Sequence, residues 1–182
     1  MRLWVILVLA SALAAEGFAQ SKPAAPKASP AAAPAKGTAT KPVPAKPTAA
    51  ARAAPSRDEQ SIFDSANRER ATRQLPALKW NALLASAARL HAQKMAQAGA
   101  ISHQFPGEMD MGMRLRVAGV RFTSAAENVA QGPTAAVIQQ EWMNSPSHRD
   151  NILDPELDSL GVAVVARNGE LFAVQDFALA SP

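Results

Sequence analysis

Near the C-terminus, in "DSLGVAVVARNGELFAVQDFAL", two apolar runs rich in β-branched and aromatic residues meet at Asn168-Gly169. That dipeptide tolerates the positive backbone angles of a tight hairpin turn, so the pair predicts two antiparallel strands. The clear hydrophobic periods that precede it are helical. Helices first and strands late, with no strand-helix alternation to build a parallel sheet, predict an α+β fold around an antiparallel sheet.

The helices are marked by spacing and punctuation. "RDEQSIFDSANRERATRQLPAL" sets Ile62, Phe63, Ala66 and Arg70 at helical spacing, with Ser56 or Asp58 as cap and an end required before Pro76. "NALLASAARLHAQKMAQAGA" puts Leu83, Leu84, Ala87, Leu90, His91, Met95 and Ala98 on one stripe between Asn81 as N-cap and Gly99 as stop. A shorter helix is predicted in "MGMRLRVAG", ending at Gly119. Another is predicted in "PTAAVIQQEWMN", with Pro133 at its first position and Pro146 forbidding continuation. The period of "FTSAAENVAQG" fits a short strand or an irregular segment equally well.

Composition divides the 182 residues into three parts. Residues 1–19, "MRLWVILVLASALAAEGFA", carry Arg2, a short apolar run and small residues, the pattern of an export signal. Cleavage after Ala19 fits the small residues Gly17 and Ala19, Ala14 or Ala15 could also serve, and an uncleaved membrane anchor is the alternative that the shortness of the run disfavours. Residues 20–57 contain eight prolines and almost no large apolar side chain, so burial cannot offset their ordering entropy, and a disordered linker is expected. Residues 58–182 remain as the foldable domain. No cysteine is present, so no disulfide framework supports it and the core must suffice.

The net charge of +4 is unevenly placed: residues 20–57 carry seven Lys or Arg and no acid, whereas residues 58–182 carry eleven against fourteen Asp or Glu. The folded part is slightly acidic, which excludes a basic nucleic-acid-binding domain. The linker could contact anionic envelope polymers through its lysines, although a solvated spacer is the simpler reading. A periplasmic or extracellular monomer with no specific nucleic-acid partner is expected.

His103 in "AISHQF", Glu127 in "SAAENVAQG" and His148 in "SPSHRDNIL" stand in or beside predicted loops. Two imidazoles and a carboxylate converging on a cleft could hold a divalent ion, with the acid as ligand, orienter or general base. The separations along the chain are much looser than those of a one-helix zinc motif, and spacing alone carries little. Ser145 and Ser147 are neighbours of His148, but no GxSxG nucleophile elbow accompanies them. His91, on an apolar stripe, reads as a hydrogen-bonded core histidine; Trp80, Phe105 and Trp142 as core or cleft wall; Met109, Met111 and Met113 as adaptable packing. Asp176 interrupts an apolar strand and is expected to face solvent by alternation.

The segments "NRERATRQLPALKWNALLASAARLHAQKMAQAGAISH", "AENVAQG", "EWMNSPSHRDNIL" and "GVAVVARNGELFAVQDFA", in that order over about residues 60–178, resemble the bacterial branch of the CAP superfamily, also called the SCP or cysteine-rich secretory protein, antigen 5 and pathogenesis-related 1 domain. The resemblance implies an α-β-α sandwich with the antiparallel sheet between helical layers, and a cleft of two histidines and two acids. His103 and His148 match the cleft histidines, and Glu127 with Asn128 matches a Gly-Glu-Asn motif in which Ala126 replaces the glycine. Where many animal members carry a further acid after the helix Trp, this chain has Ser145. The implied function is an envelope module binding a small-molecule, lipid or wall-derived ligand, with His103 and His148 able to hold a divalent ion, zinc or magnesium. The alternative is a metal-dependent hydrolase of peptide or ester bonds with Glu127 as base.

Overall fold

The computed structural model describes residues 54–181, so the expected signal segment and nearly all of the expected linker lie outside the described residues. Helix α1 spans Arg57–Ala71, and Ser56 caps it through a capping box with Glu59. A short strand β1, Lys79–Trp80, leads into α2, Ala82–Ala98, which Asn81 caps and Gly99 ends in the left-handed region at φ 65°. Helix α3 is Met111–Val117 and strand β2 Phe122–Gly132. Helices α4, Ala135–Asn144, and α5, Pro146–Leu153, precede the hairpin of β3, Ser159–Arg167, and β4, Glu170–Ala180. The hairpin turn falls at Asn168 and Gly169, both at positive φ.

The sheet order is β1-β3-β4-β2. β2 and β3 both pair antiparallel with β4, but β1 pairs parallel with β3, so the sheet is mixed rather than wholly antiparallel. Two residues gave β1 no readable period. The ambiguous segment before α4 is an eleven-residue edge strand.

Helical layers cover both faces, as in an α-β-α sandwich. On one face, Ile62 and Ala66 of α1, Ile138 and Trp142 of α4 and Ile152 of α5 pack on Ala130, Leu160, Val162, Ala173 and Phe177. On the other, Ala88, Ala92 and Met95 of α2 pack on Val129, Ala163 and Val174, and Leu84 and Ala87 meet Leu115 of α3 and Ala178. The alanines of α2 let it lie close. At Gly161 a Cβ would fall 2.1 Å from the Ala85 nitrogen, so only glycine fits beneath the helix backbone.

Four expectations are corrected. Pro133 precedes the cap of α4, Thr134, instead of opening the helix. Pro146 stops α4 but also starts α5 at its first turn, where a missing N–H costs nothing, so "SPSHRDNIL" is helical and His148 is not in a loop. Leu90 is 62 % exposed, because the buried side of α2 is centred on Ala88, His91, Ala92 and Met95. Met109 and Met113 are also exposed, and only Met111 packs inward. No helix among the described residues is long and apolar enough to cross a membrane.

Candidate functional site

His103 stands on the loop between α2 and α3, and Glu127 lies in the middle of β2. The His103 Nδ1 is 2.9 Å from Glu127 Oε1. Facing a carboxylate oxygen, that nitrogen carries the proton and donates, which leaves Nε2 as the unprotonated, outward atom. The imidazole side chain is 60 % exposed while the carboxylate is 3 % exposed, so the ligand-accessible partner is the histidine.

The carboxylate is held from a second side. Arg114 of α3 donates through Nη2 to Glu127 Oε2, and through Nη1 to the carbonyl oxygens of His103 at 3.0 Å and Met109 at 3.3 Å. A further acid, Glu108, has Oε1 3.9 Å from Arg114 Nη1 and 3.0 Å from the Nδ1 of the buried His91. Glu108 also accepts the Phe105 N–H at 3.1 Å, and His91 Nε2 donates to the Ser102 carbonyl at 2.7 Å. The peptide on either side of His103 is therefore held by α2 through His91 and by α3 through Arg114. His91 is a hydrogen-bonded core histidine, as its place on the helical stripe predicts.

Successive residues on a strand point to opposite faces, and the Glu-Asn pair uses this. Glu127 turns toward His103, whereas Asn128 donates to the His148 carbonyl at 3.1 Å and to Gln175 Oε1 at 3.0 Å, and accepts from Asn151 at 2.8 Å. Asn128 thereby fixes α5, which carries His148, against the same edge strand. His148 is half-buried; burial first, then repulsion from His103 whenever that ring takes up a second proton, lowers its pKa from the ordinary histidine value. The three expected site residues are thus gathered around β2. Ala126 sits in the strand without positive φ, so the alanine in place of the motif's glycine costs nothing.

Asp176 does not face solvent. It is fully buried on β4, directly opposite Glu127 in the antiparallel register, with no hydrogen-bond donor at either oxygen. Alternation failed because both faces of a central strand in this sandwich are covered. Sequence reasoning also missed Arg114 and Glu108. The Arg114 signal was present, since it shares the inward side of α3 with Met111, Leu115 and Ala118; Glu108, in a loop, left none.

Among the described residues no group of three or more His, Cys, Asp or Glu side chains is arranged to hold a metal ion. Both Glu127 oxygens are engaged, so the atoms suited to a divalent ion are Nε2 of His103 and the imidazole of His148. The Glu127-to-Nδ1 contact is the outer-shell arrangement that orients ligating histidines, and to that extent the residues fit.

The profile of the cysteine-rich secretory protein family, CAP, matches residues 63–177. The uncharacterized protein YkwD of Bacillus subtilis (strain 168) is 30 % identical over 118 residues, 64 % of this chain and 46 % of that protein. A crystal structure of an extracellular protein containing a SCP domain from Bacillus anthracis str. Ames is 34 % identical with a TM-score of 0.62, covering 66 % of this chain and 40 % of that one. An outer surface protein of Borrelia burgdorferi shares the fold at a TM-score of 0.64 and 20 % identity, over 68 % of this chain and 93 % of that one. The chain therefore spans less than half the length of the two Bacillus relatives.

Proposed function

The chain belongs to the cysteine-rich secretory protein family, in its bacterial form, and from that premise we propose that it is an exported envelope protein whose folded domain is a ligand-binding module. The ligand, a divalent ion or a small-molecule, lipid or wall-derived compound, engages the cleft edge between His103 and His148. The basic linker serves as a spacer that carries the module away from its point of export.

The observation that supports this reading is the engagement of Glu127. One oxygen accepts from His103 Nδ1 at 2.9 Å and the other from Arg114. A hydrolytic reading would need that carboxylate free to take a proton from an attacking water. The binding reading uses it where it stands, as the group that fixes the ring and tautomer of His103. A divalent ion, when bound, would supply a positive charge that attracts an anionic or carbonyl-bearing ligand.

Calorimetric titration of zinc into the mature chain, beside a His103→Ala, His148→Ala double variant shown folded by circular dichroism, tests the metal-binding part. Binding near one equivalent that disappears in the folded variant is expected. No heat from the parent would remove the metal and send the search for ligand to lipids and wall fragments.

A further inference from the structure

Behind Glu127 the protein buries a second acid that the cleft reading leaves unused. Asp176 is fully buried, and no donor faces either of its oxygens. Its register partner on β2 is Glu127, and on β3 it is Gly161, over which the α2 backbone at Leu84 and Ala85 lies too close for even a Cβ. Water and larger side chains are thus kept off that side. An ionised carboxylate left without donors in such a place is far too costly to persist.

We propose that Asp176 is a positioning residue: it keeps its proton and donates it to the Glu127 carboxylate, so that Glu127 holds His103 from a fixed place. This deepens the binding reading given above and rests on it for its functional meaning. Glu127 then receives three donors, the Asp176 O–H, the Arg114 guanidinium and the His103 Nδ1–H. Two carboxyls and one proton, beside one guanidinium, leave no net buried charge in the cluster. The charged groups that act on Asp176 are Glu127 and Arg114; Glu108 and His103 reach it only through them. Burial first, then the negative charge of Glu127, raises the Asp176 pKa well above the ordinary carboxylate range, while Arg114 pulls the other way.

The arrangement has a chemical consequence at the surface. If Asp176 were ionised, it and Glu127 would repel each other across the strand pair and compete for Arg114. Glu127 would lose a donor, and the hydrogen bond that keeps the proton on His103 Nδ1 would no longer be set by the fold. With the proton in place, Nε2 is presented as the free atom before any ligand arrives.

The test is carbon-13 and nitrogen-15 NMR of the labelled mature chain, without metal or ligand. At about pH 7 the Asp176 side-chain carboxyl carbon is expected at the shift of a protonated acid while Glu127 shows that of a carboxylate; an ionised Asp176 overturns the proposal. In Asp176→Asn, whose amide keeps a donor, the His103 ring nitrogens are expected to retain the parent pattern, with Nδ1 protonated. In Asp176→Leu, which keeps bulk but loses the donor, that pattern is expected to shift toward a mixture of tautomers. An unchanged His103 pattern in folded Asp176→Leu overturns the positioning role, as does a changed one in Asp176→Asn. Should Asp176→Leu not fold, the parent carboxyl shift and the asparagine variant decide. Because none of these spectra contains metal, failure of zinc binding leaves them unaffected, and their failure leaves the zinc titration standing.

Discussion

Arg114 on α3 and Glu127 on β2 form an ion pair with both side chains inside the protein, 6 % and 3 % exposed. The same guanidinium donates to the His103 carbonyl at 3.0 Å. One cation therefore ties the edge strand to the loop that carries the exposed imidazole, and the geometry of the cleft depends on a residue that is almost wholly buried. It also stands 3.9 Å from Glu108, so it is shared between two buried acids.

Removing that cation while leaving the acids is expected to be costly. Arg114→Met should lower stability by about 3–5 kcal/mol, the range for breaking a buried pair from one side, because Glu127 is stranded with its charge. Adding Glu127→Gln should restore part of the loss. Urea unfolding of the two variants checks this, and a single-variant loss below about 1 kcal/mol would show that solvent or another group compensates Glu127.

Much of the scaffold was legible because local chemistry and global fold agree on it. Ser56, Asn81 and Gly99 cap helices where their side chains or missing Cβ predict, and Asn168-Gly169 makes its hairpin. What failed were marks with two meanings. Pro146 is both a stop for α4 and a favoured first residue for α5, and the short, weakly apolar turn that follows it marks only the stop. A period of two turns Asp176 outward, but a strand enclosed on both faces has no polar side for it to reach. Of the site, His103, Glu127 and His148 came from the family resemblance more than from spacing. Arg114 is marked only by its place on the inward side of α3, which does not name Glu127 as its partner, and Glu108 comes into play through contacts with His91 and Arg114 that no local pattern encodes.

Gly161 lies directly beneath the backbone of α2. An added Cβ would meet the Ala85 nitrogen at 2.1 Å and the Leu84 carbonyl carbon at 2.4 Å, both backbone atoms that cannot swing aside. Gly161→Ala should therefore cost at least the roughly 1–3 kcal/mol of an overpacked core, with displacement of α2. The urea midpoint and the amide spectrum of α2 report it; a parent-like midpoint would mean that the helix shifts freely.

Acid should act through Glu108. Burial raises its pKa, but the His91 hydrogen bond, the Phe105 N–H and the charges of His91 and Arg114 outweigh burial, and the net shift is downward from the ordinary value of 4.5. A group whose folded pKa is depressed stabilises the fold above its unfolded pKa, and that contribution is lost as pH falls through the folded value. The parent should lose stability more steeply than Glu108→Gln between about pH 5 and about pH 3. Urea midpoints across that span measure the difference, and parallel curves would show that Glu108 is not the acid-labile group.

Asp176 should give the opposite slope. Its folded pKa is raised well above the ordinary 3.8, by burial first and by Glu127 second. Between the unfolded and folded pKa values the native protein holds a proton that the unfolded chain has released, so stability falls as pH rises through that window. Asp176→Asn keeps the shape and a donor but removes the titration. The variant should unfold at a temperature close to the parent's below about pH 4, and its advantage should grow as pH rises toward neutrality. Melting curves of both proteins at matched ionic strength are the check. A constant difference across pH would mean that Asp176 ionises alike in folded and unfolded chains, which its donor-free burial opposite Glu127 argues against.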